Sequence, residues 1–336
     1  DAMRDVNRNG FRRGVLVMAA CGALGQDVAG KEPLVHTFSI VARDPQTGRM
    51  GVAVQSHWFS VGPIVPWAEA GIGAVATQSM VRVDYGPKGL TLMRQGLGAS
   101  QALEALLVND DGREMRQVAM VDARGRVAAH TGKKCIASAG HYVGENFSVQ
   151  ANLMLNDEIV PAMRAAYESS TGDLADRMLA ALSAAQAAGG DIRGEQSAAI
   201  VIVEGERHPE PWQGRVMELR IEDHPEPVKE LARLVRLHRA YRHSNRGDEM
   251  VEKKNFYEAL TEYAKAAELA PDIVELQFWQ AVTLFGGGRE DEALGIFKKV
   301  FAAEPIWAEV VRRVVPLGFL PDDEAVLKRI TDLGEK

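Results

Sequence analysis

The chain has 336 residues, 46% apolar and 25% charged, an ordinary globular composition with enough length for more than one core. Its formal net charge of −7 argues against a general binder of nucleic acid or anionic membrane, which relies on an excess of Lys and Arg. Two cysteines, Cys21 and Cys135, are too few and too far apart for a disulfide framework or a zinc site, and Cys135 reads as a small buried apolar residue.

In chain order, the first feature is a basic head, Arg4, Arg8, Arg12 and Arg13, followed by "GVLVMAACGALG". That layout reads as an export signal over 1–33. "FRRGVLV" loosely matches a twin-arginine signal, and "MAAC" a lipoprotein processing site at Cys21. The expected location is periplasmic or secreted; the alternative is a cytoplasmic protein with a short N-terminal tail. Beyond this segment nothing reaches the length of a membrane-spanning helix.

Strand patterns begin at 36–43 and 49–56, joined as a hairpin across Asp44-Pro45-Gln46-Thr47-Gly48. "HWFSVGPIVPWAEA" reads as a loop with apolar contents that must pack over something. "GIGAVATQ", 71–78, reads as a third strand whose small residues allow close approach. Two helices follow, "PKGLTLMRQG" and "SQALEALLVND", the second with Ser100 as N-cap. "MRQVAMVD" and "RVAAHT" form another hairpin, and "FSVQANLML" reads as a strand. Two apolar-faced helices, "DEIVPAMRAAYES" and "GDLADRMLAALSAAQAAGG", precede the strands "SAAIVIVE" and "RVMELRIED". Strands and helices come in segregated runs, with tight turns between several strands. This predicts an α+β protein with antiparallel sheets and outer helices over 34–222, rather than a doubly wound parallel fold.

After "EDHPEP" the remainder, 229–336, reads as helical and carries a 34-residue repeat. Ala259 and Ala293, Leu260 and Leu294, Tyr263 and Phe297, Gly247 and Ala281, and Pro271 and Pro305 all stand 34 apart. Small residues where paired helices touch, an aromatic in the second helix and a terminating proline make this segment resemble a tetratricopeptide repeat. "GGGRE" at 286–290 lacks the phosphate-loop pattern and reads as an inter-helix turn.

Common catalytic signatures are missing: no HExxH, no CxxC pair, no GxSxG. Ser56 and His57 cannot pair, since adjacent strand residues face opposite ways. Two features remain. One is Thr37 at the start of the first long strand. The other is "GGDIRGEQSAAIVIV", 189–203, where Asp191, Arg193 and Ser197 crowd the lip of a buried strand. That second stretch reads equally as a charged turn capping its own backbone.

Five blocks in order, "TFSIVARDPQTGRMGVAVQS", "VGPIVPWAEAGIGAVATQ", "DYGPKGLTLM", "VDARGRVAAHTG" and "GGDIRGEQSAAI", resemble a bacterial family known as domain of unknown function 1028, placed in the Ntn-hydrolase superfamily. The resemblance implies a four-layer αββα sandwich. It also implies an N-terminal Thr, Ser or Cys that attacks an amide carbonyl, with its own α-amine as base and no metal or organic cofactor. An α-amine, with a pKa of about 7.7–8.0, is partly unprotonated near neutral pH, as that role requires. Carried over, Thr37 is the candidate nucleophile, with Ser39 on the same face as runner-up. Asn152 would donate to an oxyanion. Ser56 and Thr77 would line the pocket, and Asp191, Arg193 and Ser197 would orient the amine or grip a substrate carboxylate. Because His36 precedes Thr37, the mechanism requires cleavage between them. The expected function is hydrolysis of an amide of a small molecule or peptide. The tail would bind a protein partner or mediate self-association, giving a homo-oligomer. The alternative is a non-catalytic binding protein whose tail carries the function.

Overall fold

The computed structural model describes residues 34–334; the expected leader and Cys21 lie outside them. Two all-antiparallel sheets form the first part of the chain. The six-stranded sheet runs β11 (Arg215–Ile221), β10 (Ser197–Val203), β3 (Met50–Ser56), β2 (Thr37–Arg43), β9 (Phe147–Ala151), β8 (Gly140–Gly144). The five-stranded sheet runs β1 (Leu34–Val35), β5 (Gly73–Met80), β6 (Arg116–Asp122), β7 (Val127–Thr131), with β4 (Pro66–Glu69) also paired to β5.

Period-two alternation explains how the sheets stack. In β2, Phe38, Ile40 and Ala42 belong to a core beneath α3 (Ile159–Ser169) and α4 (Leu174–Ala187), together with Met163, Met178 and Leu182. Val41, from the opposite face, joins Val52 and Val54 of β3, Ala74 and Ala76 of β5, and Ala119 and Val121 of β6. That second core lies between the sheets. A third packs Val75, Val118 and Met120 against α1 (Tyr85–Arg94) and α2 (Ala99–Leu107). Each sheet therefore has helices on one face and the other sheet on its other face. The small inner residues Ala74, Ala76, Ala119 and Ala199 suit the close stacking of two sheets.

Three strands were not read from sequence. β4 begins at Pro66 inside the expected loop; proline lacks a ladder donor and is tolerated at the first position of such a strand. Val61 and Val65 of the same segment enter the inter-sheet core, so the apolar contents do pack inward. β8 is bracketed by glycines, and β1 is only two residues long. The second helix is capped at Gly98, not Ser100, with the Gly98 amide donating to Gln101 Oε1 at 3.0 Å. Cys135 is half-buried rather than buried; its thiol donates to the Arg116 carbonyl at 3.4 Å.

The C-terminal part is helical: α5 (Pro227–Glu252), α6 (Phe256–Leu269), α7 (Val274–Gly286), α8 (Glu290–Ala303), α9 (Trp307–Val314) and α10 (Glu324–Thr331). No helix among the described residues is long and apolar enough to cross a membrane. α5 serves two cores. Val228, Leu231 and Val235 pack under the six-stranded sheet, whereas Ala240 packs with Ala266, Ala270 and Leu276. The residues spaced by 34 occupy matching places: Ala259, Tyr263, Ala281, Ala293 and Phe297 are all buried.

Candidate active site

One end of the inter-sheet layer is polar. Inward alternation that buries Val41, Val52 and Val54 also turns Thr37, Ser39, Ser56, Gln78, Gln117, Ser148, Gln150 and Asn152 inward, and all are buried. Burying so many hydroxyl and amide groups is costly unless they satisfy one another. They do so in a connected network whose proton directions can be worked out from carbonyl groups, which only accept.

Gln117 Nε2 donates to the carbonyls of Ala151 (2.8 Å) and Gly140 (3.1 Å), so Gln117 Oε1 is the acceptor end. That oxygen accepts from Asn152 Nδ2 at 2.9 Å and Gln78 Nε2 at 2.7 Å. Asn152 therefore presents Oδ1 to His36 Nδ1 at 2.7 Å, and the proton on that contact belongs to the imidazole. Gln78 Nε2 also donates to the Thr37 carbonyl at 3.2 Å, which leaves Gln78 Oε1 to accept from Ser39 at 2.6 Å. Ser39 in turn accepts from Gln150 Nε2 at 2.6 Å, and Ser148 donates to Gln150 Oε1 at 3.0 Å. The Ser39 hydroxyl is thus committed as a link between two amides.

Thr37 is placed differently. Its Oγ1 lies 3.0 Å from the Val35 carbonyl and 3.1 Å from Ser56 Oγ, and with one proton it can donate to only one of them. Ser56 is opposite Thr37 in the β2–β3 register and donates to the His36 carbonyl at 2.6 Å. The same carbonyl accepts from Arg193 Nη2 at 2.8 Å. Arg193 is held by a two-pronged pair with Asp191, Nε to Oδ1 at 3.0 Å and Nη2 to Oδ2 at 2.7 Å, and Asp191 also accepts from the His57 amide at 3.2 Å. Burial, together with the charge of Arg193, pulls the His36 pKa below its usual value despite the Asn152 contact, so the imidazole is neutral at pH 7.

The structure thus brings together Thr37, Ser56, Asn152, Asp191 and Arg193, with Ser39 one step along the network. Asn152, however, is not the oxyanion donor expected of it: its amide nitrogen is turned to Gln117, and the donors at the His36 carbonyl are Ser56 and Arg193. The structure does not bring in one other expected residue. Thr77 faces the outer helices, and its hydroxyl donates to the Arg82 carbonyl at 3.1 Å; the inward residue is its neighbour Gln78. Ser197 does stand beside the cluster, directly opposite Ser56 in the β3–β10 register, but its hydroxyl pins the loop after β3, accepting from the Val61 amide at 3.1 Å and donating to the Trp58 carbonyl at 2.5 Å. Gln78, Gln117, Gln150 and His36 were missed. Their signal was available as alternation, a polar residue at an inward position of a buried strand. Two non-glycine residues with positive φ border the cluster, Ser79 (72°) and Leu153 (58°). Such conformations cost about 1–3 kcal/mol and gather at functional sites.

Fold and site define an α+β domain of two antiparallel sheets with a buried hydroxyl–amide–guanidinium cluster at one end of the inter-sheet layer. The model of the family of unknown function DUF1028 matches residues 37–231, and the chain belongs to that family. Among solved structures it is similar to the crystal structure of protein SPO2555 from Silicibacter pomeroyi, a DUF1028 protein, at 31% identity and a TM-score of 0.54. That similarity covers 60% of this chain and 84% of the other. No curated protein matches.

Proposed function

We propose that this chain is an amide hydrolase of the N-terminal-nucleophile type, matured by cutting the His36–Thr37 bond. The observation that carries the reading is the grip on that bond. Its carbonyl oxygen accepts from Ser56 and Arg193, while the hydroxyl of the residue on its other side sits beside Ser56. Two donors aimed at one carbonyl oxygen, one of them cationic, are what a tetrahedral oxyanion needs. The two stacked sheets with outer helices fit the αββα architecture of the superfamily, and the family match begins at Thr37.

In maturation, Thr37 Oγ adds to the His36 carbonyl carbon and the C–N bond breaks. The acyl group passes to oxygen as an ester, and the nitrogen becomes the Thr37 α-amine. Water then cleaves the ester, releasing a chain ending in the His36 carboxylate. In turnover the free amine takes the Thr37 hydroxyl proton as Oγ attacks a substrate amide, and returns it to the leaving amine. Water hydrolyses the acyl-enzyme. Asp191 holds Arg193 in place, and Asn152 orients the group before the carbonyl. The helical tail, read as tetratricopeptide-like, supplies a surface for a protein partner or a second copy. The basic–apolar start of the chain fits export.

Intact-mass measurement of the natively expressed full chain tests this. The expected mature N-terminus is Thr37, with Thr37→Ala retaining the leader and Thr37→Ser still cut. Arg193→Met should slow cutting by roughly 10²–10³-fold, the usual effect of losing one oxyanion donor. Turnover by the mature chain should rise with pH as the amine deprotonates near about 8. Active protein with His36 still joined to Thr37 would refute the reading.

A further inference from the structure

Residues 34–36 lie in the site as an acyl group would. β1 pairs antiparallel with β5, Leu34 opposite Met80 and Val35 opposite Ser79. It lies end to end with β4, which pairs with Gly73–Ala76 along the same edge. His36 follows at 3% exposure, its carbonyl held by Ser56 and Arg193 and its ring donating to Asn152 Oδ1. Among the described residues, these interactions that position the segment are with groups on the other side of the cut. All of them stay behind when it leaves.

We propose that the substrate is a peptide or peptide-like amide whose acyl part adds as an extended strand to β5 at Ser79–Met80. Its last acyl residue carries a hydrogen-bond-donating side chain read by Asn152. This rests on the Thr37 reading and names its substrate class. An extended acyl chain satisfies the open edge of β5 by strand addition, which gives affinity through main-chain bonds and specificity through side chains. The side-chain preference follows from the network. Gln117 is oriented by the Ala151 and Gly140 carbonyls, Gln117 orients Asn152, and Asn152 can only offer its oxygen. An acidic side chain there would set a carboxylate against that oxygen, and an aliphatic one would leave it unpaired. In the reaction the substrate acyl–nitrogen bond breaks, the acyl group forms an ester with Thr37 Oγ, and the amine leaves with the proton. Water then yields the peptide acid and restores Thr37.

The experiment uses mature chain whose Thr37 start has been verified by intact mass, and aminocoumarin amides of acetyl-Leu-Val-His. The expected result is turnover, with kcat/KM falling about five- to tenfold when His becomes Ala, as for one lost hydrogen bond, and falling further when it becomes Glu. N-methylation at Leu or at Val should cost at least tenfold at one of the two, because antiparallel residues alternate in donating to their neighbour. Acetyl-Leu-Val-His acid should compete. A mature chain that hydrolyses other amides but neither cleaves nor is inhibited by these peptides overturns this proposal and leaves the Thr37 reading standing. Equal rates for His, Ala and Glu overturn the Asn152 selection. A chain that stays uncut sinks both, and the mass spectrum alone reports that.

Discussion

At the scale of single residues, two hydroxyls on one strand have opposite fates. Thr37 and Ser39 share the inward face of β2 and are equally buried. Ser39 is clamped between Gln150 Nε2 and Gln78 Oε1, so its proton is spent on an amide oxygen. Thr37 sits beside a carbonyl already held by two donors. Ser39→Ala should therefore leave leader cutting intact. It strands two buried amide atoms and should cost about 1–3 kcal/mol for each that finds no new partner. Chemical denaturation alongside intact mass separates these effects; loss of cutting by a Ser39→Ala chain that still folds would move the nucleophile to Ser39.

At the scale of elements, the helical region depends on how closely its helices approach. Gly247 of α5 is buried, and a Cβ there would lie 2.7 Å from Tyr263 Cε1 of α6. The position 34 residues on is Ala281 of α7, buried in the core that holds Phe297. Phe278 and Phe297 meet edge-on with centroids 5.8 Å apart. The repeat thus places a small residue on one helix near an aromatic on the next. Gly247→Leu would drive a branched side chain into the Tyr263 ring, and overpacking of this kind costs typically about 1–3 kcal/mol. Lower thermal stability with unchanged leader cutting is expected. An unshifted melting curve would show that the close approach is not a constraint.

At the scale of the whole molecule, α5 is shared property. Its first half closes the core beneath the six-stranded sheet through Val228, Leu231 and Val235, and Arg239 reaches Asp176 and Asp173 of the sandwich at 2.8 and 2.6 Å. Its second half begins the helical array. A chain ending at Glu226 should lose most of its folding cooperativity, whereas one ending at Glu252 keeps the sandwich core covered. Leu231→Ala within the full chain should cost about 2–5 kcal/mol, the usual range for emptying a buried leucine site. If the two truncated chains melt alike, the sandwich does not need this helix.

Much of the architecture was legible because it is written locally. Alternation marked β2, and an apolar run marked β10; turn residues marked the hairpins that carry β3 and β6, with Gly48 taking the φ of +74° that the first turn demands; a fixed 34-residue spacing marked the helical array. The edge strands β1, β4 and β8 were not legible, since strands so short, or opened by Pro or Gly, carry too little pattern and owe their form to the neighbour they pair with. The same division runs through the site. Thr37, Asp191 and Arg193 could be picked out from residue type and place along the chain, and Ser56 and Asn152 from the family resemblance. That Arg193 reaches back 157 positions to the His36 carbonyl, that Gln78 rather than Thr77 turns inward, and that Asn152 must offer its oxygen are settled only by which faces the two sheets press together. The local chain decides where side chains alternate. Only the packed sheets decide which polar groups are shut away from water and must therefore find each other.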